Sequence, residues 1–380
     1  MLTSFPRENE PTPDKRQHLT INFTKSFTIL QFGSILMIMF KPKFELTPKL
    51  LGNITKIERL YGQIEGLKIP QKLELNLHRD NLIQSSYASN SIEGNPLSLR
   101  EVTNLLLGER VPVNREEKEV KNYFDILQNL KNYAKKELDL PLIMAVHQQL
   151  MKGVKDEIAG KIRNKRVVVG KYAHNGKRGD FSLEVKHEPP FHQSRQIIKA
   201  LEELISWLNR NKQLPVVIQA GIFHHHFVYL HPFIDGNGRT ARLLTALIFL
   251  KNNYQINKYF ILDDYYDIDR ILYSDKLHRA DLGDKTEWLE YFSDGVLYSL
   301  QGALVKIEEA LFKLRVEEKP TPKEKEVLVL VQEREEITSK ELATILKISR
   351  QQAHNLLSSL VKKDFLRKRG TTKGSYYLLK

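Results

Sequence analysis

The sequence predicts a mainly α-helical protein with a β-hairpin inserted between its helices and a small mixed domain at its C-terminus. Apolar residues recur at helical spacings of three and four, as in Ile57, Leu60 and Ile64. A β-branched run at 167–169, followed by a Gly/Asn/Lys-rich turn, indicates the hairpin. A chain of 380 residues is long enough for two or three such units.

The composition is that of a globular protein with a basic surface. Hydrophobic residues make up 41% of the chain, and 59 Lys and Arg against 46 Asp and Glu give a formal net charge of +13. This balance favours anionic partners, such as nucleotide phosphates, nucleic acid or an acidic protein face, without choosing among them. Cysteine is absent, which excludes disulfides, thiolate zinc sites and a Cys nucleophile. A cytoplasmic location fits but is not proved by that absence.

Residues 1–40 form a leader of uncertain status. The apolar run at 27–40 is shorter than the roughly 20 residues of a membrane-spanning helix, so no membrane partner is expected. Residues 1–36 could precede a misassigned start, with Met37 or Met39 as the true first residue. A buried strand and an uncleaved anchor are the alternatives.

The main body is expected to consist of helices around the hairpin. The helical stretches are 55–68, 116–136, 141–154, 191–212, 215–229, 239–253 and 268–315, with the hairpin at 165–185. The helix at 239–253 is almost uncharged beyond Arg242, which predicts the buried centre of a bundle. The predicted units are an N-terminal helical region at 41–110, a core at 111–315, a linker at 316–323 and a C-terminal domain at 324–380.

The C-terminal domain has the element order of a winged helix-turn-helix. Its pattern predicts helices at 324–334, 339–346 and 350–363, then two short strands around residues 370–374. Thr338 and Ser339 can cap one helix, and Ser349 the next. The helix after Ser349 presents Arg350, Gln351, Gln352 and His354 early, where they could reach base edges, and five basic residues lie within 362–369. DNA is therefore a possible partner, and a protein-packing module is the alternative.

The segment at 231–242, HPFIDGNGRTAR, carries the chemistry expected of phosphoryl-type transfer. Gly236 and Gly238 let backbone N–H groups approach an anion at the start of the following helix. Arg239 and Arg242 can grip phosphate oxygens. A Gly-Asn-Gly turn alone would indicate only a helix connection, but its combination with a histidine, an aspartate and two arginines points to a site.

Two further side chains complete the predicted site. His231 titrates near neutrality and is suited to accept a proton from an attacking hydroxyl. Asp235 is a hard oxygen ligand suited to Mg²⁺.

These residues resemble the Fic family, whose motif HPFx[DE]GNGRxxR is matched at every fixed position, and the resemblance extends over roughly 44–315. It implies the Fic or Fido fold, with the hairpin as a flap that holds a target segment. It also implies that His231 is the general base, that Asp235 binds Mg²⁺, and that Gly236, Asn237 and Gly238 hold the α- and β-phosphates of ATP. Arg239 and Arg242 would contact the β- and γ-phosphates. Since Gly238 stands where phosphorylating relatives carry Lys, the resemblance favours AMP transfer.

A second resemblance lies upstream. Ser89, Glu93 and Gly94 are similar to the family's inhibitory pattern [ST]xxxE[GN], in which the carboxylate pairs with the second arginine, here Arg242. Glu93 is expected to end a short helix, and Gly94 lets the chain turn away. The alternative is that Glu93 is a solvated residue at a helix C-terminus with no inhibitory role. Glu93 could also serve the removal of AMP.

The function expected from the sequence is transfer of AMP from ATP to a Tyr, Thr or Ser hydroxyl of a target protein or of the chain itself, with ATP and Mg²⁺ as cofactors. A DNA-binding regulator with a nucleotide-sensing Fic domain and transfer of another nucleotide are the alternatives. A homodimer stays open.

Three other sets of residues are predicted to lie outside the site. His224, His225 and His226 point in different directions on a helix and are given structural roles, with His224 packed beneath the active-site loop. Gly160 and Arg163 resemble the lead-in to the flap, but Arg163 and Arg279 are interpreted as surface charges.

Overall fold

The computed structural model describes residues 40–108, 110–174, 181–371 and 374–380. The predictions for the leader therefore fall almost wholly outside the described residues. Within the described ranges, no helix has both the length and the apolar character needed to span a membrane.

The described residues from 40 to 151 contain six helices, four of which begin at a side-chain cap. Thr47, Ser98, Asn114 and Asp139 each accept a backbone N–H at the start of a helix. The helices are α1 (Pro48–Glu65), α2 (Gln71–Ile92), α3 (Leu99–Leu107), α4 (Arg115–Gln128), α5 (Leu130–Ala134) and α6 (Leu140–Met151).

The predicted hairpin is confirmed between α6 and the next helix. Strand β1 (Val169–His174) pairs antiparallel with β2 (Phe181–His187), with Lys171 opposite Glu184 and Val169 opposite His187. Among the residues that the structure describes, the two strands pair only with each other, so an extended segment could add to either edge of the flap.

The centre of the body is a packed pair of helices that carries the loop. After α7 (Ser194–Arg210), α8 (Val216–Leu230) packs against α9 (Asn237–Lys251). Nearly every residue of α9 from Arg239 to Phe249 is buried, which confirms the prediction of a central helix. The loop between the two helices is thus fixed to the most rigid part of the core.

The segment predicted as helix at 268–315 is broken into several pieces. It contains the end of α10 (Asp263–Ile268), α11 (Arg270–Arg279), a 3₁₀ turn (Ala280–Leu282) and most of α12 (Thr286–Glu318). The breaks fall at Asp269, which is extended, and at Gly283, whose φ is 117°. Helix α12 packs along α1 and α8 and closes the body from the far side.

The C-terminal domain has the predicted winged-helix order and its own apolar core around Val331, Leu357 and Tyr377. Helix α13 (Pro322–Arg334) is followed by β3 (Glu336–Thr338), α14 (Ser339–Ile345), α15 (Arg350–Lys362), β4 (Leu366–Arg369) and β5 (Tyr376–Leu379). Three features differ from the prediction. Strand β3 adds a third strand beside β5. Helix α12 continues to Glu318, and α13 begins at Pro322, so the connection is shorter than the predicted linker at 316–323.

Candidate active site

The predicted loop joins the C-terminus of α8 to the N-terminus of α9 in a strained but well-anchored turn. His231 lies in the left-handed region, with φ 47° and ψ 60°, and Gly236 has φ 75°. Phe233 is fully buried, as the sequence predicted. The Asn237 side chain accepts from the Phe233 N–H and donates to its carbonyl, both at 2.9 Å. The side-chain amide of Asn237 therefore shapes the loop. Its backbone N–H lies in the first turn of α9, where it has no helical acceptor and can bind an anion.

His147 on α6 supports the loop from below. Its Nε2 donates to the Asp235 carbonyl at 2.9 Å, its Nδ1 accepts the Gly160 N–H at 2.9 Å, and its ring stacks on Phe233 with centroids 3.6 Å apart. This pair of bonds needs a neutral ring, and burial lowers the pKa of His147 to about 4. His147 was missed in the sequence because it lies 88 residues from Asp235.

Arg163 holds the main chain of His231, and its interpretation as a surface charge is wrong. The residue is only 2% exposed. Its guanidinium donates to the carbonyls of His231 (2.6 Å), Leu230 (3.1 Å) and Lys165 (2.8 Å). These carbonyls include the last of α8, which have no helical partner, so a buried cation at this end is stabilising. For Arg279 the interpretation is confirmed, because 61% of its side chain is exposed.

The protonation of His231 suits a general base. Burial lowers its pKa to about 4, and the charges of His187 and Arg163 act in the same direction, while Glu93 opposes them. The imidazole is therefore neutral at physiological pH, with its lone pair available to accept a proton.

The start of α9 forms an anion cradle, defined here as the N–H groups of Asn237, Gly238 and Arg239. These groups have no acceptor within the helix, and the helix dipole favours negative charge beside them. A Cβ placed on Gly238 would lie 2.2 Å from Oε1 of Glu93. The carboxylate of Glu93 thus lies against Gly238, at the edge of the cradle.

Arg242 connects the cradle to α2. Its Nε donates to the Ser89 hydroxyl at 2.7 Å, and its Nη2 donates to the Ser89 carbonyl at 2.9 Å and to Oε1 of Glu93 at 2.7 Å. Burial disfavours the charge of Glu93, but Arg242 and Arg239 outweigh it and lower the pKa of the carboxyl. The pair is therefore ionised.

Helix α2 ends as the sequence predicted, although it is longer than the short helix expected. Glu93 caps a helix of 22 residues, and Gly94 turns the chain away with φ 85°. The length of α2 places Ser89, Asn90 and Glu93 together on the arginines of α9.

Asp235 lies at the edge of the cradle among cations. Its carboxylate accepts the Gly236 N–H at 2.7 Å, forms an ion pair with Lys155, and lies 3.8 Å from Arg115 and 3.7 Å from Arg239. Burial disfavours its charge, but Lys155, Arg239 and the Gly236 N–H outweigh burial and lower its pKa. An ionised, partly exposed carboxylate beside an anion cradle fits a hard cation such as Mg²⁺.

The three consecutive histidines have the structural roles predicted for them. His224 is held by Thr245 at 2.9 Å and Tyr273 at 2.8 Å, whereas its predicted position beneath the loop stays a prediction. His225 contacts Asp281 at 3.0 Å, and His226 stacks on Phe40. The four partners belong to four different parts of the chain.

Comparison with known families agrees with this geometry. The profile of the Fic/DOC family matches residues 137–249, which include the hairpin, α8, the loop and most of α9. Residues 137–249 are thus a Fic domain. The MarR family profile matches residues 320–374, the winged helix.

Solved Fic structures share the fold of most of the chain. A Fic family protein from Desulfovibrio desulfuricans G20 superposes with a TM-score of 0.61 at 25% identity, covering 90% of this chain and 98% of that one. Residues 134–508 of Fic-1 from Caenorhabditis elegans give a TM-score of 0.55 at 24% identity, over 69% of this chain.

Curated relatives are named for their activity. "Protein adenylyltransferase fic-1" of C. elegans is 28% identical over 255 residues, which are 63% of this chain and 45% of that protein. "Protein adenylyltransferase Fic" of Aedes aegypti is 28% identical over 211 residues. The chain spans less than half the length of these Fic relatives.

Within the Fic domain, the structure brings the predicted residues into one site. His231, Asp235, the cradle, Arg239 and Arg242 meet at the start of α9, and α2 adds Ser89 and Glu93. Sequence reasoning missed four residues that support or neutralise them. These are Arg115, His147, Lys155 and Arg163.

Proposed function

We propose that this chain transfers AMP from ATP to a Tyr, Thr or Ser hydroxyl of a protein, which is either a target or the chain itself. The observation that carries the proposal is a neutral imidazole, His231, on the same short loop as an anion cradle and two buried arginines. The names of the Fic relatives support the same activity.

The chemistry follows from the positions of these side chains. His231 accepts the proton of the attacking hydroxyl, and the oxygen forms a bond to the α-phosphorus as the bond to the pyrophosphate oxygen breaks. The cradle and Arg239 stabilise charge on the phosphates, and Arg242 is placed to grip the outermost one. Asp235 would hold Mg²⁺, which supplies charge neutralisation when bound. Protonated His231 then returns its proton to solvent.

We further propose that Glu93 keeps the site inhibited. Its carboxylate lies against Gly238 at the edge of the cradle and occupies Nη2 of Arg242, so ATP must displace it to bind with all three phosphates in place. Glu93→Gly removes both obstacles. Glu93→Gln keeps the side-chain volume but removes the negative charge. It therefore distinguishes inhibition by filling the cradle from inhibition by ion pairing with Arg242.

The deciding experiment is transfer from α-labelled ATP by purified full-length chain and in lysate. Glu93→Gly is expected to label protein strongly, wild type weakly, and the double variant Glu93→Gly, His231→Ala not at all while still binding ATP. Labelling that survives loss of His231 would contradict the proposal. A parallel series with GTP, CTP and UTP tests transfer of another nucleotide, because the cradle contacts phosphates and not the base.

A Glu93 carboxylate beside the cradle could also orient water for removal of AMP from a modified protein. Modified target incubated with wild type and with Glu93→Gly tests this role. Equal removal rates by the two proteins would exclude it.

DNA binding by the winged helix is the second candidate function. Arg350, Gln351, Gln352 and His354 are exposed at the start of α15. Residues 367–369 of the wing, all basic, are also exposed. The test is a mobility shift of random duplex DNA by the full chain. A shift that weakens as salt rises, and that is weaker still with Arg350→Ala, would support DNA binding. A nucleotide-sensing regulator would bind DNA with ATP dependence yet transfer nothing.

A further inference from the structure

Four residues outside the loop form a compact cluster at the base of the flap. Asp281 lies in the 3₁₀ turn, and its carboxylate oxygens contact the ring nitrogens of three histidines. These are His187 at the end of β2 (2.8 Å), His225 on α8 (3.0 Å) and His278 on α11 (3.2 Å). The cluster joins four elements, and none of its side chains has a direct role in the proposed transfer or in the inhibitory contact.

The hydrogen positions on His187 are constrained by its neighbours. Its Nε2 lies 2.9 Å from the Tyr229 carbonyl, which can only accept, so Nε2 carries a hydrogen. In the neutral ring, Nδ1 then presents a lone pair to Oδ2 of Asp281 at 2.8 Å. Two acceptors at this distance repel each other unless a cation lies between them. That cation is either a second proton on His187 or a metal ion.

We propose that His187, His278 and Asp281 bind a divalent transition-metal ion of the zinc class. Their ligand atoms all lie within 4.8 Å of one another. The separations of 2.8 and 3.2 Å from each Nδ1 to Oδ2 of Asp281 are close to the spacing of about 3.3 Å between tetrahedral ligands roughly 2.0 Å from Zn²⁺. Two imidazoles and one carboxylate are a donor set that such ions prefer over Mg²⁺.

The surroundings have the features of a supported and accessible metal site. The Tyr229 carbonyl fixes the tautomer of His187, and His225 contacts the other oxygen of Asp281, as outer partners of metal ligands commonly do. His278 lines an open cavity of about 560 Å³ between β2 and α11, which provides an entry path and room for a water ligand.

An ion at this position would tie the end of the flap to α11 and to the 3₁₀ turn. Arg163, which holds the main chain of His231, precedes the flap in the chain, and the flap returns to the body at His187. The inference does not rest on the proposed transfer activity, and its test reads metal binding directly.

The test uses untagged full-length chain freed of metal by chelator and dialysis. Zn²⁺ binding is measured by calorimetry and Co²⁺ binding by visible absorption, both with excess Mg²⁺ present to occupy Asp235. We expect one ion per chain, an absorption spectrum typical of four-coordinate Co²⁺, and a higher Tm with Zn²⁺. His278→Ala and Asp281→Asn should weaken binding by at least about tenfold.

Two controls define the outcome. His192→Ala removes an exposed histidine from the same region and should leave Zn²⁺ affinity unchanged, as should Asp235→Asn. Since His278 is partly exposed, its alanine variant is expected to fold, which circular dichroism checks. Absence of binding by wild type, or equal binding by wild type and His278→Ala, would overturn the metal site. So would an NMR titration showing His187 doubly protonated near neutral pH with no response to Zn²⁺.

Discussion

Replacing Arg163 tests whether the main chain of His231 must be held for transfer. Arg163→Ala removes three hydrogen bonds and leaves the carbonyls of Leu230 and His231 without their donor. Each buried unpaired carbonyl costs about 1–3 kcal/mol, so we expect a loss of about 2–6 kcal/mol in the free energy of unfolding. Arg163→Lys keeps the charge but reaches fewer carbonyls, and should lose about half as much.

The effect on activity should exceed the effect on ATP affinity. Without its anchor, His231 can leave the left-handed conformation, and a displacement of about 1 Å at a reacting group can cost on the order of 100-fold in rate. We therefore expect kcat of the Glu93→Gly protein to fall about 100-fold with Arg163→Lys, while KM for ATP changes little. Arg163→Gln should also raise the pKa of His231, because the arginine charge lowers it.

The assay is steady-state AMP transfer at several pH values, alongside chemical denaturation. Arg279→Ala is the matched control, because this arginine is exposed and pairs at the surface with Asp275 at 2.9 Å and with Glu287 at 3.9 Å. A folded Arg163→Lys protein with unchanged kcat would refute the reasoning.

Three further predictions follow from individual side chains. Because His231 must be neutral to act as a base and its pKa is about 4, kcat/KM for ATP should fall as pH drops through about 4. A fall near pH 6.5 instead would contradict the lowering of the His231 pKa by burial. In the Glu93→Gly background, Gly238→Ala should weaken ATP binding by tenfold or more, as measured by calorimetry, because the added Cβ narrows the cradle beside Arg242. Unchanged affinity would exclude the cradle as the phosphate-binding site. Hydrogen bonds from Lys363, Ser359 and Thr321 outweigh burial and lower the pKa of Glu324 to about 2. Its stabilisation of the winged helix should be complete above about pH 4.5 and lost as pH falls through 2. Glu324→Gln should therefore lower the Tm of this domain at pH 7 but not at pH 2.

The parts of the site that sequence reasoning recovered are those that depend on local spacing or on a family resemblance. Loop 231–242 is contiguous, and the start of α9 follows from its glycines and apolar pattern. The pairing of Glu93 with Arg242 spans 149 residues and was predicted from the resemblance, not from periodicity. Arg163 contacts His231 across 68 residues and carries no local sign of burial, so a surface charge was the natural interpretation.

The fold shows the same division. Helix caps and the flap were predictable because turn residues act locally. The breaks at Asp269 and Gly283, and strand β3, were not. A strand of three residues is too short for a periodic signal, and it exists because Ile337 fills the winged-helix core while its backbone pairs with β5.

The resting site neutralises its own charges, and this has a consequence for activation. Arg242 is paired with Glu93, and Asp235 with Lys155. On binding, a phosphate of MgATP would replace Glu93 at Arg242, and Mg²⁺ would replace Lys155 at Asp235. Because existing ion pairs are exchanged for new ones, the net free energy of binding is smaller than the new contacts alone suggest. Removing Glu93 leaves Arg242 held by Ser89 and 3.6 Å from Asp263, so the arginine keeps these two contacts. Under the inhibition proposed above, displacement of Glu93 would therefore expose a site whose other side chains are already in place.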